Sequence, residues 1–330
     1  MIVRRLDDLQ RRWPVLGFCY AVICKYLDDG GIREAALITY YGFLSLFPTL
    51  LLGVTIVSEV LVRHPELRQE VVAAIVPPLL QDGVENSVAA FTSSSTALVL
   101  GVIGLVFSGI GVVVSAYETL NHLAAVPFVR RPGVVVRYLR VVAGLAIILA
   151  GTVTVGALTV AASSLSMWPG PPRFGAFIGS CGVVFVVLVS VARLLLARPA
   201  TLGMLWPAAL PGAVAVTLVL HLGATVLPEI VRRAGRVYGA FATVAGIFTL
   251  LYLLSNALVI AAEIAAVRHA RLWPRALDPG RPAPADARAM LLLAREQERL
   301  PAASIDYVLR DPPAGADCVS EAGVKPPRGR

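Results

Sequence analysis

The chain predicts an all-α fold: a polytopic membrane protein built as a six-transmembrane-helix bundle with additional interfacial helices. Three observations predict it. Of 330 residues, 57% are hydrophobic and 15% are charged, and mean hydropathy is +0.76, whereas soluble domains carry nearer a quarter charged residues. Six apolar runs, approximately 35–62, 96–121, 140–165, 174–197, 202–227 and 240–266, each reach the roughly 20 residues that a helix needs to cross a hydrocarbon core. Lys and Arg, finally, fall between these runs and in the tails.

That placement decides what the formal net charge of +8 means. A nucleic-acid binder gathers its cations on one face, often with stacking aromatics. Here they follow the positive-inside pattern. With an even number of spans, one side collects 23 Lys and Arg and the other Arg63, Arg68, Arg173, Arg232, Arg233 and Arg236. The expectation is a plasma-membrane protein with both termini cytoplasmic and membrane lipids, including anionic ones, as partners rather than nucleic acid.

Residues 1–34 are expected to form a cytoplasmic interfacial arm, with its first 29 residues as one helix at the inner surface. Trp13–Cys24 resembles a signal-peptide core, yet Lys25, Asp28 and Asp29 follow with no small-residue cleavage site. Residues 35–266 form the six-helix domain. In its first span Pro48 removes one helical hydrogen bond and is read as a structural kink or a gating hinge. The external segment 63–95 carries ELRQEVVAAIVPPLL, which has helical apolar spacing until Pro77 and Pro78.

The second span is the organising element. Gly101, Gly104, Ser108, Gly111 and Ser115 recur at steps of three and four, which aligns them along one helix face. Small residues let a neighbouring helix approach closely in lipid, so this face is expected against protein. The same line continues into Glu118 and His122.

Spans three to five are almost featureless. Arg193, in the last turn of span four, either snorkels to the interface or pairs across the bundle. In span six Thr249, Asn256 and Glu263 are seven residues apart and share a face. Residues 267–330 hold nine of the 23 prolines and read as a cytoplasmic, Pro- and Arg-rich, low-order tail in which only 287–300 looks helical.

With this topology Tyr40, Tyr41, Glu118, Asn121, His122, Asn256 and Glu263 all fall in the inner half of the membrane and form a candidate polar pocket. Arg130, Arg131, Arg137 and Arg193 are candidate head-group contacts at its rim. Two readings compete. The pocket binds a cation, a proton or a lipid head group, or its groups satisfy one another as interhelical glue. No cofactor is expected. The four cysteines, Cys19, Cys24, Cys181 and Cys318, lack metal-site spacing. No zinc-protease, nucleophile-elbow, Walker or dinucleotide motif occurs, so neither a metal site nor catalytic residues are expected.

Three blocks carry a resemblance: REAALITYYGFLSLFPTLL, SAYETLNHLAAVPFVRRP and RVYGAFATVAGIFTLLYLLSNALVIAAEIAAVRHAR. Together they resemble the signature blocks of the YihY/BrkB family of bacterial inner-membrane proteins over roughly residues 20–270. Tyr40, Ser45 and Pro48 match its first block, Asn121 its Leu-Asn step, and Tyr238, Gly239 and Glu263 its last, where Ala-Ala-Glu stands for the usual Gly-Ala-Glu. The resemblance implies six transmembrane helices with both ends cytoplasmic. Members have carried a ribonuclease label, and others are described as virulence or serum-resistance factors or are linked to envelope lipid export. Three functions are carried forward: a transporter or flippase-like protein for a lipidic or anionic substrate, a non-transporting scaffold that recruits partners through basic loops and tail, and, disfavoured by the missing catalytic constellation, a membrane ribonuclease.

Overall fold

The computed structural model describes residues 2–63, 95–164, 172–278, 280–302 and 304–306. Nine α-helices occupy them: α1 (Ile2–Arg12), α2 (Pro14–Asp28), α3 (Gly31–Arg63), α4 (Ser95–Leu123), α5 (Val134–Ser164), α6 (Pro172–Leu195), α7 (Leu202–Tyr238), α8 (Ala240–Ala270) and α9 (Pro284–Glu296). Among the described residues there is no strand. The predicted outer helix within 63–95 and the end of the tail lie outside the described residues.

The six long helices, α3 to α8, form a ring in which each packs on its neighbours in sequence and α8 closes back onto α3. Four of them are long and apolar enough to cross a membrane by length and composition: Val134–Leu158, Phe177–Leu195, Leu202–Arg233 and Phe241–Ala270. The outward surface is correspondingly apolar, with Phe107, Val135, Val153 and Phe241 exposed. Such a continuous apolar exterior is unusual for a soluble monomer and fits lipid.

Small residues set the spacing within the ring. A Cβ on Gly104 would stand 3.0 Å from Pro48, and one on Gly111 would stand 2.9 Å from the Tyr41 ring. The predicted stripe on α4 therefore faces α3, and Ser115 lies buried on the same line. Elsewhere Gly151 meets Val187 and Gly212 meets Ala261, so α5–α6 and α7–α8 approach by the same device.

Three boundaries differ from expectation. The N-terminal arm is two helices, because Pro14 opens α2 and Trp13 before it is extended at φ −107° and ψ 101°; a residue preceding proline is pushed out of the helical region. Helix α7 runs through Arg232 and Arg233, both paired with Glu229 three and four residues earlier, so part of the basic loop expected there is helix. The tail helix starts at Pro284 rather than 287, where the Asp286 carboxylate accepts the Ala283 amide at 2.8 Å.

The tail also folds back. Arg275, buried, pairs with Asp28 of α2 at 2.6 Å and Asp286 of α9 at 2.9 Å. Phe18 meets Trp273 edge to face at 5.3 Å, and Ala21, Val22, Val267, Leu272 and Ala289 form one apolar cluster. Helices α1, α2 and α9 thus make a packed cap on one end of the ring. The starts of α3 and α5 and the ends of α4, α6 and α8 meet at that end, through Thr119–Glu34, Arg140–Leu196 and Asn121–Leu195 bonds and the Lys25–Glu263 pair.

Candidate functional site

The capped end carries a continuous chain of charges. It begins at Glu263 on α8, whose carboxylate is fully buried and accepts no hydrogen bond from the described residues. Its charge partner is Lys25 of α2 at 3.6 Å, an ion pair too long to be a hydrogen bond. Lys25 is itself buried; one of its protons goes to the Asp29 carboxylate and another to the Leu123 carbonyl at 3.1 Å. An ammonium has three protons, and the third is the one left to face Glu263.

From Asp29 the chain crosses to α4. His122 places Nε2 3.1 Å from the Asp29 carbonyl and Nδ1 2.7 Å from the Glu296 carboxylate. Both partners can only accept, so both ring nitrogens must donate and the ring is an imidazolium. His122 lies just beyond the inner end of the span predicted at 96–121. The hydrogen bond that its ring donates to the Glu296 carboxylate, reinforced by that group's charge, pushes the His122 pKa up to about 9 against the opposing effect of burial. Burial pushes the Asp29 carboxyl above the usual carboxylate range, against the pull of Lys25.

Glu296 then binds Arg131 at 2.7 Å, Arg131 binds Glu118 at 2.8 Å, and Glu118 binds Arg137 at 3.0 Å. The two ends of the path differ: the Glu263 side chain is 0% exposed and that of Glu118 is 40% exposed. Four basic and four acidic side chains alternate through the cluster. A buried ionic network of this kind gains little net stability, yet removing one member leaves another charge unpaired.

The predicted pocket residues divide. Glu118, His122 and Glu263 join this chain, although the two carboxylates stand at its opposite ends. Asn121 is buried beside it as a clip: its amide donates to the Leu195 carbonyl at 3.0 Å and its oxygen accepts the Ala197 amide at 2.8 Å, which ties α4 to the end of α6. Asn256 accepts from the Tyr26 hydroxyl at 2.6 Å. Tyr40 and Tyr41 are exposed and stack edge to face. Of the predicted rim, Arg131 and Arg137 are in the chain, whereas Arg130 and Arg193 are exposed.

Lys25, Asp29 and Glu296 are members that sequence reasoning missed. Lys25 in the last turn of a largely apolar helix, four residues before Asp29 at its C-cap, was a readable signal. Glu296 carried none, since its partners lie 165 and 174 residues away. Among the described residues no three His, Cys, Asp or Glu side chains are grouped as metal ligands.

A cavity of about 330 Å³ adjoins the chain, bounded by Lys25, the α4 end at Leu123–Ala125, Arg198, the α8 end and Arg288 with Leu291 and Leu292 of α9.

The model of the family described as virulence factor BrkB matches residues 22–286. The chain belongs to that family. The match spans α2 through the start of α9 and so takes in most of the charged chain, from Lys25 to Glu263, while Glu296 lies beyond it. No curated protein and no solved structure matches the chain. Membership together with the apolar, membrane-length helices makes this an integral membrane protein.

Proposed function

We propose that this BrkB-family protein spans the bacterial plasma membrane six times, with both termini cytoplasmic, and moves a lipidic or anionic substrate across it. The observation that carries the reading is Glu263: a carboxylate fully buried on a membrane-length helix, without a hydrogen bond and 3.6 Å from its cation. A carboxyl group so placed is costly in a membrane and is retained for what it does rather than for stability. The continuous path from the buried Glu263 to the half-exposed Glu118 supports coupling between the bundle interior and the aqueous rim. The shared location of α1 and α9 at the polar end, together with the Lys and Arg bias, supports the cytoplasmic assignment.

The test uses purified protein in proteoliposomes containing a short-chain fluorescent phosphatidylglycerol, with transfer between leaflets as the readout. Wild type should accelerate transfer, and Glu263→Gln, with its melting temperature checked, should abolish the acceleration. Equal transfer by empty vesicles, wild type and variant would sink the transport reading.

The scaffold reading is favoured by a different feature, the polar helix α1, which exposes Asp8, Leu9, Arg11 and Arg12 at the capped end. Deleting residues 275–330 would remove Arg275, Asp286 and Glu296 and so disturb the cap itself. The informative cut falls after residue 306: loss of phenotype with transfer intact would favour the scaffold.

A further inference from the structure

The cavity between the cap and the ring differs from the neighbouring chain in one respect: its charges are not balanced. Lys25, Arg198 and Arg288 line it together with His269, and among the described residues no carboxylate does. Lys25 is committed to Asp29, Leu123 and Glu263. Arg288 gives one N–H to the Arg271 carbonyl at 2.9 Å and keeps its remaining donors. Arg198, in the turn between α6 and α7, has no hydrogen bond or ion pair among the described residues, and its Nε is buried.

An unpartnered buried guanidinium nitrogen calls for an explanation, because burial strips its water and returns nothing. Burial alone draws the Arg198 pKa below its ordinary range, with no anion to offset it. The rest of the lining is small or apolar: Leu123, Ala124, Ala125, Ala266, Ala270 and Leu272, with Leu291 and Leu292 of α9 forming one wall. The alanines leave the room, and bases from four different elements line it. A volume of about 330 Å³ is at the small end of ligand sites and suits a phosphate-bearing head group rather than an acyl chain. Guanidinium forks are suited to phosphate oxygens in two-point contact.

We propose that this cavity is a binding site for a phosphate ester, held by Arg198 and Arg288 with His269 at its mouth. The assignment rests on the membrane reading above and adds to it the place and chemical class of the ligand. Because the cavity opens where α4, α6 and α8 end, its level along the bundle is that of lipid head groups. Helix α9 covers one side, so the cap forms part of the site.

The experiment uses full-length protein in mild detergent and two probes. One is glycerol 1-phosphate, titrated by thermal shift with chloride as control; the other is phosphatidylglycerol against phosphatidylcholine, with retained lipid read by native mass spectrometry. Wild type should bind at least one phosphate probe, and Arg198→Gln with Arg288→Gln should weaken it about tenfold or more. Arg232→Gln, at an exposed arginine that does not line the cavity, should leave binding unchanged. Ala270→Leu fills the cavity without altering charge and should also weaken binding, which covers the case in which the double variant folds poorly.

Binding of the soluble ester alone would assign a free phosphate metabolite, and retention of the lipid alone would assign a lipid head group; either supports the site. No preference for phosphate over chloride or for phosphatidylglycerol over phosphatidylcholine, or wild-type affinity in both the double variant and Ala270→Leu, would overturn it. Transfer activity that depends on Glu263 would stand in that event, so the two proposals fail separately.

Discussion

His122 and Glu296 are 174 residues apart in sequence and 2.7 Å apart in the fold. This contact fastens the tail helix to the end of α4, and through Arg131 the same carboxylate reaches Glu118. The cap is therefore part of the bundle's charge network rather than a neighbour of it.

Glu296→Ala should be strongly destabilising. It leaves Arg131, whose side chain is 9% exposed, and His122 without their shared anion, and breaking a buried pair costs about 3–5 kcal/mol. Glu229→Ala, which removes two exposed pairs with Arg232 and Arg233, should cost at most about 1 kcal/mol. Melting temperatures of the two variants in one detergent check the contrast.

Stability should fall in mild alkali. The His122 pKa rises from 6.5 unfolded to about 9 folded, so its contribution is fully present below 6.5 and is lost as pH climbs through about 9. The linked effect is on the order of 3 kcal/mol. A wild-type melting temperature that drops across this window, and drops much less in His122→Gln, is the expected result; parallel curves would exclude the imidazolium assignment.

Gly212→Ala should separate α7 from α8. The new Cβ would lie 2.7 Å from the Ala261 Cβ, which cannot move aside without its backbone, and overpacking of this kind costs about 1–3 kcal/mol. Gly156→Ala, with nothing within 4 Å of its added carbon, should be neutral or mildly stabilising. Thermal unfolding of the pair tests whether glycine sets the helix spacing.

Asn121→Asp should harm more than Asn121→Ala. The alanine removes both bonds to the α6 end and leaves the Leu195 carbonyl and the Ala197 amide unsatisfied, at about 1–3 kcal/mol. The near-isosteric aspartate instead turns an acceptor toward the carbonyls of Tyr117 and Leu195, 2.8 and 3.0 Å away. Amide exchange at Ala197 and the melting temperature should both follow that order.

Much of the architecture was legible because it depends on local rules. A run of apolar residues predicts a membrane-length helix from its own length, and four such helices stand where the runs are. A glycine and serine line at steps of three and four predicts a close-packed face, and α4 presents that face to α3. Pro14 and Pro284 set helix starts by their own geometry, signals present in the sequence though placed too late or passed over in its reading.

The site was legible only in its spanning members. Glu118, His122 and Glu263 stood out because charge is rare in apolar helices, whereas Glu296 and Arg198 looked like ordinary polar residues in a tail and a turn. Their roles arise from long-range meetings: Lys25 with Glu263, Arg275 with Asp28, Glu296 with His122. The sequence by itself determined which segments are helices and which faces carry small or charged residues, since both follow from periodicity within one segment. Only the tertiary structure decided which charges pair and which cation stays unpaired, because charge pairing depends on distances of a few ångströms between segments that the linear order keeps far apart.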